Sequence, residues 1–132
     1  MRDEDKKIIL HKMNRAYETL EEAEMMAGVG HWNSCINRLY YSCFYSVSAL
    51  LITDNLSSSK HTGVRSFFNN HFVKKGLVSK DMGKLYNKLF DCRQESDYDD
   101  FVLMKEEYVL PLIADVKIFI ETIQFLIDRH VV

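Results

Sequence analysis

The chain has 132 residues, of which 47% are hydrophobic and 27% charged, with one Pro, five Gly and a net charge of −2. That balance excludes collagen-like, low-complexity and disordered classes, and no internal repeat is visible. At this length one domain spanning residues 1–132 buries roughly two thirds of its unfolded surface, so neither a metal nor a disulfide staple is required.

Leu10, Met13, Tyr17, Leu20, Ala23 and Ala27 recur at steps of three and four, which predicts a first helix from about Asp5 to Ala27, stopped by Gly28 and Gly30. From Asn33 to about Thr53 the apolar residues cover nearly the whole circumference, as expected of a central helix packed on several sides. A polar loop, Asp54 to Lys60, leads to a shorter amphipathic stretch with Val64, Phe67, Phe68 and Phe72 that ends at Gly76. Ser79 is the expected N-cap of a fourth helix with Met82, Leu85, Tyr86, Leu89 and Phe90 inward, ending near Cys92 or Gln94 before an acidic loop. From about Lys105, helical spacing persists over five turns, with Pro111 either kinking the helix or marking its first turns. The predicted fold is all-α: an up-and-down antiparallel bundle of four long helices and one short one.

Charges among the first 25 residues rule out a signal-peptide core, and the most apolar stretch, Leu39 to Ile52, is shorter than the roughly 20 residues of a membrane span. Cys35, Cys43 and Cys92 lack CxxC spacing, and the first two would sit about 12 Å apart along one helix, too far to bridge. These features predict a cytoplasmic protein with reduced thiols and no membrane association. Residues 60 to 88 carry seven basic residues against Asp81 alone, whereas residues 89 to 107 carry seven acidic residues against Arg93 and Lys105. Two solvated faces that pair with each other explain this asymmetry, and a nucleic-acid footprint is the alternative.

The standard motifs for dinucleotide, P-loop, zinc-protease and hydrolase chemistry are absent, and the five histidines never fall at i, i+3 or i+4. No cofactor and no metal is expected. Three places still carry polar chemistry. His61 opens the third helix, where its ring either caps the helix, bonds across to the second helix, or serves as a general acid or base. Arg38 lies on the apolar central helix near Tyr40, Tyr41 and Tyr45 and needs a carboxylate, for which Asp97 or Asp99 is the expected partner. Arg93, finally, precedes Asp97, Tyr98, Asp99 and Asp100 in a stretch with no evident job in packing a core.

The segments Asn37-Arg38-Leu39-Tyr40-Tyr41-Ser42-Cys43-Phe44, Lys60-His61-Thr62-Gly63-Val64 and Arg93 with Asp97-Tyr98, in that order, resemble the HEPN domain family (higher eukaryotes and prokaryotes nucleotide-binding), in particular its small prokaryotic stand-alone members. The resemblance implies a helical bundle, usually a homodimer, often paired with a minimal nucleotidyltransferase in a toxin and antitoxin system. It also implies, for many members, a metal-independent endoribonuclease site made of an arginine, four to six residues and a histidine. In this chain Arg93 matches the arginine, and Tyr98 stands where the histidine would be. Arg38 and Tyr45 repeat that departure. Regulated members accept nucleotidyl groups on a tyrosine two residues past the histidine, but here Asp100 holds that offset, which leaves Tyr98 as the candidate acceptor.

Tyrosine titrates near pH 10, poorly matched to proton transfer from a ribose hydroxyl at neutral pH. The first reading is therefore a partner-binding HEPN protein in which Arg38, Arg93, Asp97 and Tyr98 fix the geometry of the second helix and the acidic loop, with Arg38, Tyr41, Asp97 and Asp99 as the polar cluster. The second is an endoribonuclease with Arg93 as phosphate clamp and His61 or Tyr98 as proton-transfer group. A nucleotide-binding module is the third.

Overall fold

The computed structural model describes residues 1–98 and 103–131, apart from the side chains of residues 95–98 and 131. Five helices follow one another: α1 (Asp3–Gly28), α2 (Trp32–Thr53), α3 (His61–Phe68), α4 (Lys80–Tyr98) and α5 (Glu106–Val131). No strand occurs among the described residues. The all-α expectation holds, with α2 in contact with every other helix.

Small residues let α1 lie closest to α2. Ala16 and Ala23 are fully buried, and Ser42 on α2 donates a hydrogen bond from Oγ to the Ala16 carbonyl oxygen at 2.7 Å. This bond satisfies a buried hydroxyl that would otherwise be costly between two apolar faces. Around that seam Ile36, Leu39, Val47, Leu50, Phe68, Leu89, Phe119, Ile120 and Ile123 form one continuous core.

Three chain reversals use the same device. Gly30, Asn55 and Gly76 adopt φ of +75°, +57° and +77°. After each, the next amide reaches back to a carbonyl of the last turn: His31 N to Met26 O at 2.9 Å, Leu56 N to Leu51 O at 2.9 Å, and Leu77 N to Phe72 O at 2.9 Å. This is the Schellman pattern, which glycine and asparagine accept most readily. The stops at Gly30 and Gly76 match the sequence reading. Asn55 does the same job inside what reads as an undifferentiated polar loop.

Two elements differ from expectation. The third helix is α-helical only to Phe68 and continues as a π turn, Asn69–Val73, with Lys74 N bonded to Asn69 O at 2.9 Å. An Asn69–Asn87 side-chain bond of 3.2 Å ties that turn to α4. The fourth helix, N-capped as expected by Ser79 Oγ on the Met82 amide at 3.2 Å, runs to Tyr98 rather than ending near Cys92 or Gln94. No glycine or proline follows Gly83 in that segment, so nothing breaks the helix, and Arg93 sits on a regular helical face rather than in a loop. Pro111 falls in the second turn of α5, which runs through it.

Entry into α3 is tightly built. Ser58 Oγ accepts from the Lys60 amide at 3.1 Å, and a Cβ placed on Gly63 would collide with the Ser58 side chain, 2.8 Å from its Cβ. Replacing Gly63 with Ala is expected to cost about 1–3 kcal/mol by overpacking. Thermal melting checks it: Gly63→Ala lowers Tm, and an unchanged Tm would contradict the close approach of Ser58.

Candidate functional site

Tyr40, two residues after Arg38 on α2, is fully buried at the point where α2, α3 and α4 meet. Its ring lies 5.2 Å from Tyr41, 6.0 Å from Phe44, 5.9 Å from Tyr86, 5.9 Å from Phe90 and 5.7 Å from His61. Over the same ring, at 5.0 Å, stands the Arg93 guanidinium carbon, which is also 5.9 Å from the Tyr41 ring. Stacking of this kind contributes about 0.5–2 kcal/mol, more where water is excluded.

The Tyr40 hydroxyl and His61 Nδ1 are hydrogen-bonded at 2.7 Å, and the imidazole stacks on Phe44 at 4.4 Å with 25° between planes. Of the roles open to His61, the bond across to the second helix is the one observed. Burial, and then the positive charge of Arg93, holds the His61 pKa below the ordinary histidine value. Burial pushes Tyr40 up to about 12, against the opposing positive charge of Arg93. His61 is thus neutral and Tyr40 protonated at physiological pH.

Two further arginines flank the cluster. Arg65, one helical turn after His61, lies 4.1 Å over the Phe90 ring and 3.9 Å from Asp91. Arg38 lies 5.3 Å over Tyr41, donates to Asn37 Oδ1 at 2.8 Å, and pairs with Glu22 of α1 at 3.2 Å. A carboxylate that meets Arg38 thus comes from α1, which packs along α2. The side chains of Asp97, Tyr98 and Asp99 lie outside the described residues.

Among the sequence candidates, the fold brings Arg93, His61, Arg38 and Tyr41 to one place. Sequence reasoning passed over Tyr40, Phe44, Tyr86 and Arg65 as site residues. Two spacings carried a signal: Tyr40 and Phe44 are four residues apart on α2, and His61 and Arg65 are four apart on α3, so each pair shares a face. Among the described residues no three His, Cys, Asp or Glu side chains gather to hold a metal, and no helix is long and apolar enough to cross a membrane. Cys35 and Cys43 are fully buried, and burial raises both thiols, Cys35 to about 11.

The depressed His61 pKa links folding to pH. Because the unfolded histidine binds a proton near pH 6.5 and the folded one only at lower pH, its contribution to stability is present above about 6.5 and is lost as pH falls through the folded value. Melting followed from pH 8 to pH 5 should show wild type losing Tm faster than His61→Gln. Parallel profiles would contradict the shift.

The HEPN domain matches residues 11–126 of the chain. A protein of Thermotoga maritima named UPF0332 protein is 42% identical over 126 residues, covering 96% of each chain. Two proteins of Methanocaldococcus jannaschii, both named as candidate toxins, are each 30% identical; the matches cover 90% and 83% of this chain and 82% and 81% of theirs. The order of Arg38, His61 and Arg93 on an all-α bundle, the family match over most of the length and these relatives agree, and the chain belongs to the HEPN domain family.

Proposed function

We propose that this protein is the toxin-like component of a two-component pair, partnered by a nucleotidyltransferase, and that Arg93 with His61 forms its site for metal-independent cleavage of RNA. The observation that carries this reading is the meeting of the two side chains around Tyr40: Arg93 packs on its ring and His61 bonds its hydroxyl. In the resembling nucleases a histidine follows the arginine after four to six residues. Here Tyr98 holds that place, and a histidine from α3 stands near the arginine instead.

The chemistry follows from the substrate. A ribose 2′-oxygen attacks phosphorus and gives up its proton, the bond from phosphorus to the 5′-oxygen breaks, and that oxygen takes a proton. Charge builds on the phosphoryl oxygens in between. A guanidinium held by stacking rather than by its N–H edge alone is suited to meet that charge, since pre-oriented donors in a partly dry site gain most in the transition state. His61, half-buried beside it, brings a ring nitrogen to the same region. The names of the two archaeal relatives support a toxin-like role. The homodimer, cytoplasmic location and nucleotidyltransferase partner implied by the resemblance belong to the same proposal.

A second reading has its own observation. Arg93 Nε is buried, and its guanidinium covers Tyr40 and Tyr41, as a strut fixing α4 on α2 would. In that case the protein acts by binding its partner, and Arg93 is structural.

Arg93→Ala separates the two. Single-stranded RNA incubated with the protein in EDTA should be cut by wild type and at least about 100-fold more slowly by the variant, as expected for loss of a donor to a developing oxyanion, with Tm lowered by no more than the lost stacking accounts for. No cleavage by wild type together with a lowered Tm in Arg93→Ala would establish the strut in its place.

A further inference from the structure

Three contacts fasten α3 and its π turn to α4 as an antiparallel pair. Arg65 meets Phe90 and Asp91, Asn69 meets Asn87, and Val73 packs onto Gly83, its methyl groups 3.1 Å from where a Cβ would stand. Helical spacing then decides what lies along the outer side of this seam. On α4 it is Lys80, Lys84 and Lys88, one turn and about 6 Å apart and opposite the buried Tyr86 and Leu89. Across the seam it is Thr62, Ser66 and Asn70, all exposed, followed by Lys74 at the end of the π turn. A 3.3 Å bond from Asn70 Nδ2 to Ser66 Oγ runs along that row.

The positive charge of this face is not answered by the protein. Lys74, Lys80, Lys84 and Lys88 are exposed, and no carboxylate among the described residues comes within ion-pair distance of any of them. Lys88 rests instead on the Tyr108 ring at 4.6 Å. Of the nearby acidic residues, Asp91 pairs with Arg65, and Asp81 lines a separate groove with Asp115 and Ile118 of α5. Between residues 60 and 94 the one exposed large hydrophobic side chain is Leu77, in the turn that joins the two helices. Protein interfaces are depleted in lysine and built round apolar or aromatic anchors, which this face does not offer. A row of cations beside hydroxyls and amides matches a sugar–phosphate backbone, a line of like charges that such side chains contact.

We propose that the outer face of the α3–α4 pair binds the RNA strand leading away from the cleaved bond, with Lys74, Lys80, Lys84 and Lys88 neutralising phosphates and Thr62, Ser66 and Asn70 donating hydrogen bonds to them. One end of the face is Arg65, a single helical turn from His61, so a strand lying on it continues into the site. That the strand is RNA rests on the proposed function. That the face binds a nucleic-acid backbone rests on its own charge and side chains.

Fluorescence anisotropy with a labelled 2′-O-methyl RNA oligonucleotide, which has no 2′-hydroxyl to attack, measures binding apart from cleavage. The combined variant Lys74→Gln, Lys80→Gln, Lys84→Gln should bind at least about 10-fold more weakly at about 0.1 M salt. Its log–log salt slope should be shallower by about 2, each lost phosphate contact on a single strand removing about 0.7. A control, Lys6→Gln, Lys7→Gln, Lys117→Gln, makes the same change in net charge on exposed residues of α1 and α5 and should bind as wild type does. Equal losses in the two variants, or an unaltered slope in the first, overturn the face as a binding surface. Displacement of the oligonucleotide by poly-L-glutamate as readily, charge for charge, as by unlabelled oligonucleotide overturns it in favour of an acidic protein. The two readings fail separately. If the first variant loses binding as expected while wild type never cuts RNA, the face stands and the nuclease reading falls. If wild type cuts RNA and the first variant does so with the same KM, the nuclease reading stands and the face falls.

Discussion

The hydroxyl of Tyr40 is the point on which the functional end of this bundle depends. Without a partner it would be a buried polar atom among five aromatic rings, an arrangement no apolar contact could compensate. Its partner is His61, and His61 is available only because α3 begins at that residue, which in turn requires Ser58 to clasp Lys60 and Gly63 to leave room for it. The short third helix is accordingly less an independent element than a device that carries one imidazole to the centre of α2. The π turn that follows lets Phe72 reach the core while Asn69 holds Asn87 of α4.

Arg93 completes the arrangement from the other side. A guanidinium stacked on a buried tyrosine keeps its donors in the ring plane of the fork while its flat face is desolvated, a compromise that lysine could not make. Arg38 and Arg65 each rest on a ring of the same group, Tyr41 and Phe90, and each also meets a carboxylate, Glu22 and Asp91. The three arginines are thus held by one physical means. This also refines the charge asymmetry of the sequence. Arg65 and Asp91 are a direct link between the basic and acidic stretches.

Much of the fold was legible in the sequence because its signals were local. Apolar residues at steps of three and four marked α1, α2 and α5, Ser79 marked the start of α4, and Gly30 and Gly76 marked two ends. The π turn left no trace because one residue added within a single turn leaves no mark on the spacing of Phe67, Phe68 and Phe72. The end of α4 was read too early because aspartates suggest a loop, although they lack the power of glycine or proline to stop a helix. The site was legible only in its charged members. Arg93, Arg38 and His61 stood out as polar groups amid apolar patterns, whereas Tyr40 looked like a core residue and is one. Its second role depends on a hydroxyl meeting an imidazole across helices, a long-range relation that periodicity cannot encode. For the same reason the contact of Arg38 with Glu22, on the helix packed against α2, went unread in the sequence.

The fully buried phenol at the centre of the cluster also places a boundary on the conditions under which the bundle can exist. A tyrosine whose pKa rises from about 10 when unfolded to about 12 when folded contributes stability below the lower value and withdraws it as pH climbs through the higher one. Deprotonation there would place a phenolate among aromatic rings with the arginine faces as its only relief, and unfolding would be the easier way to solvate it. The same side chain that orders the site at neutral pH is in this way the bundle's alkaline fuse.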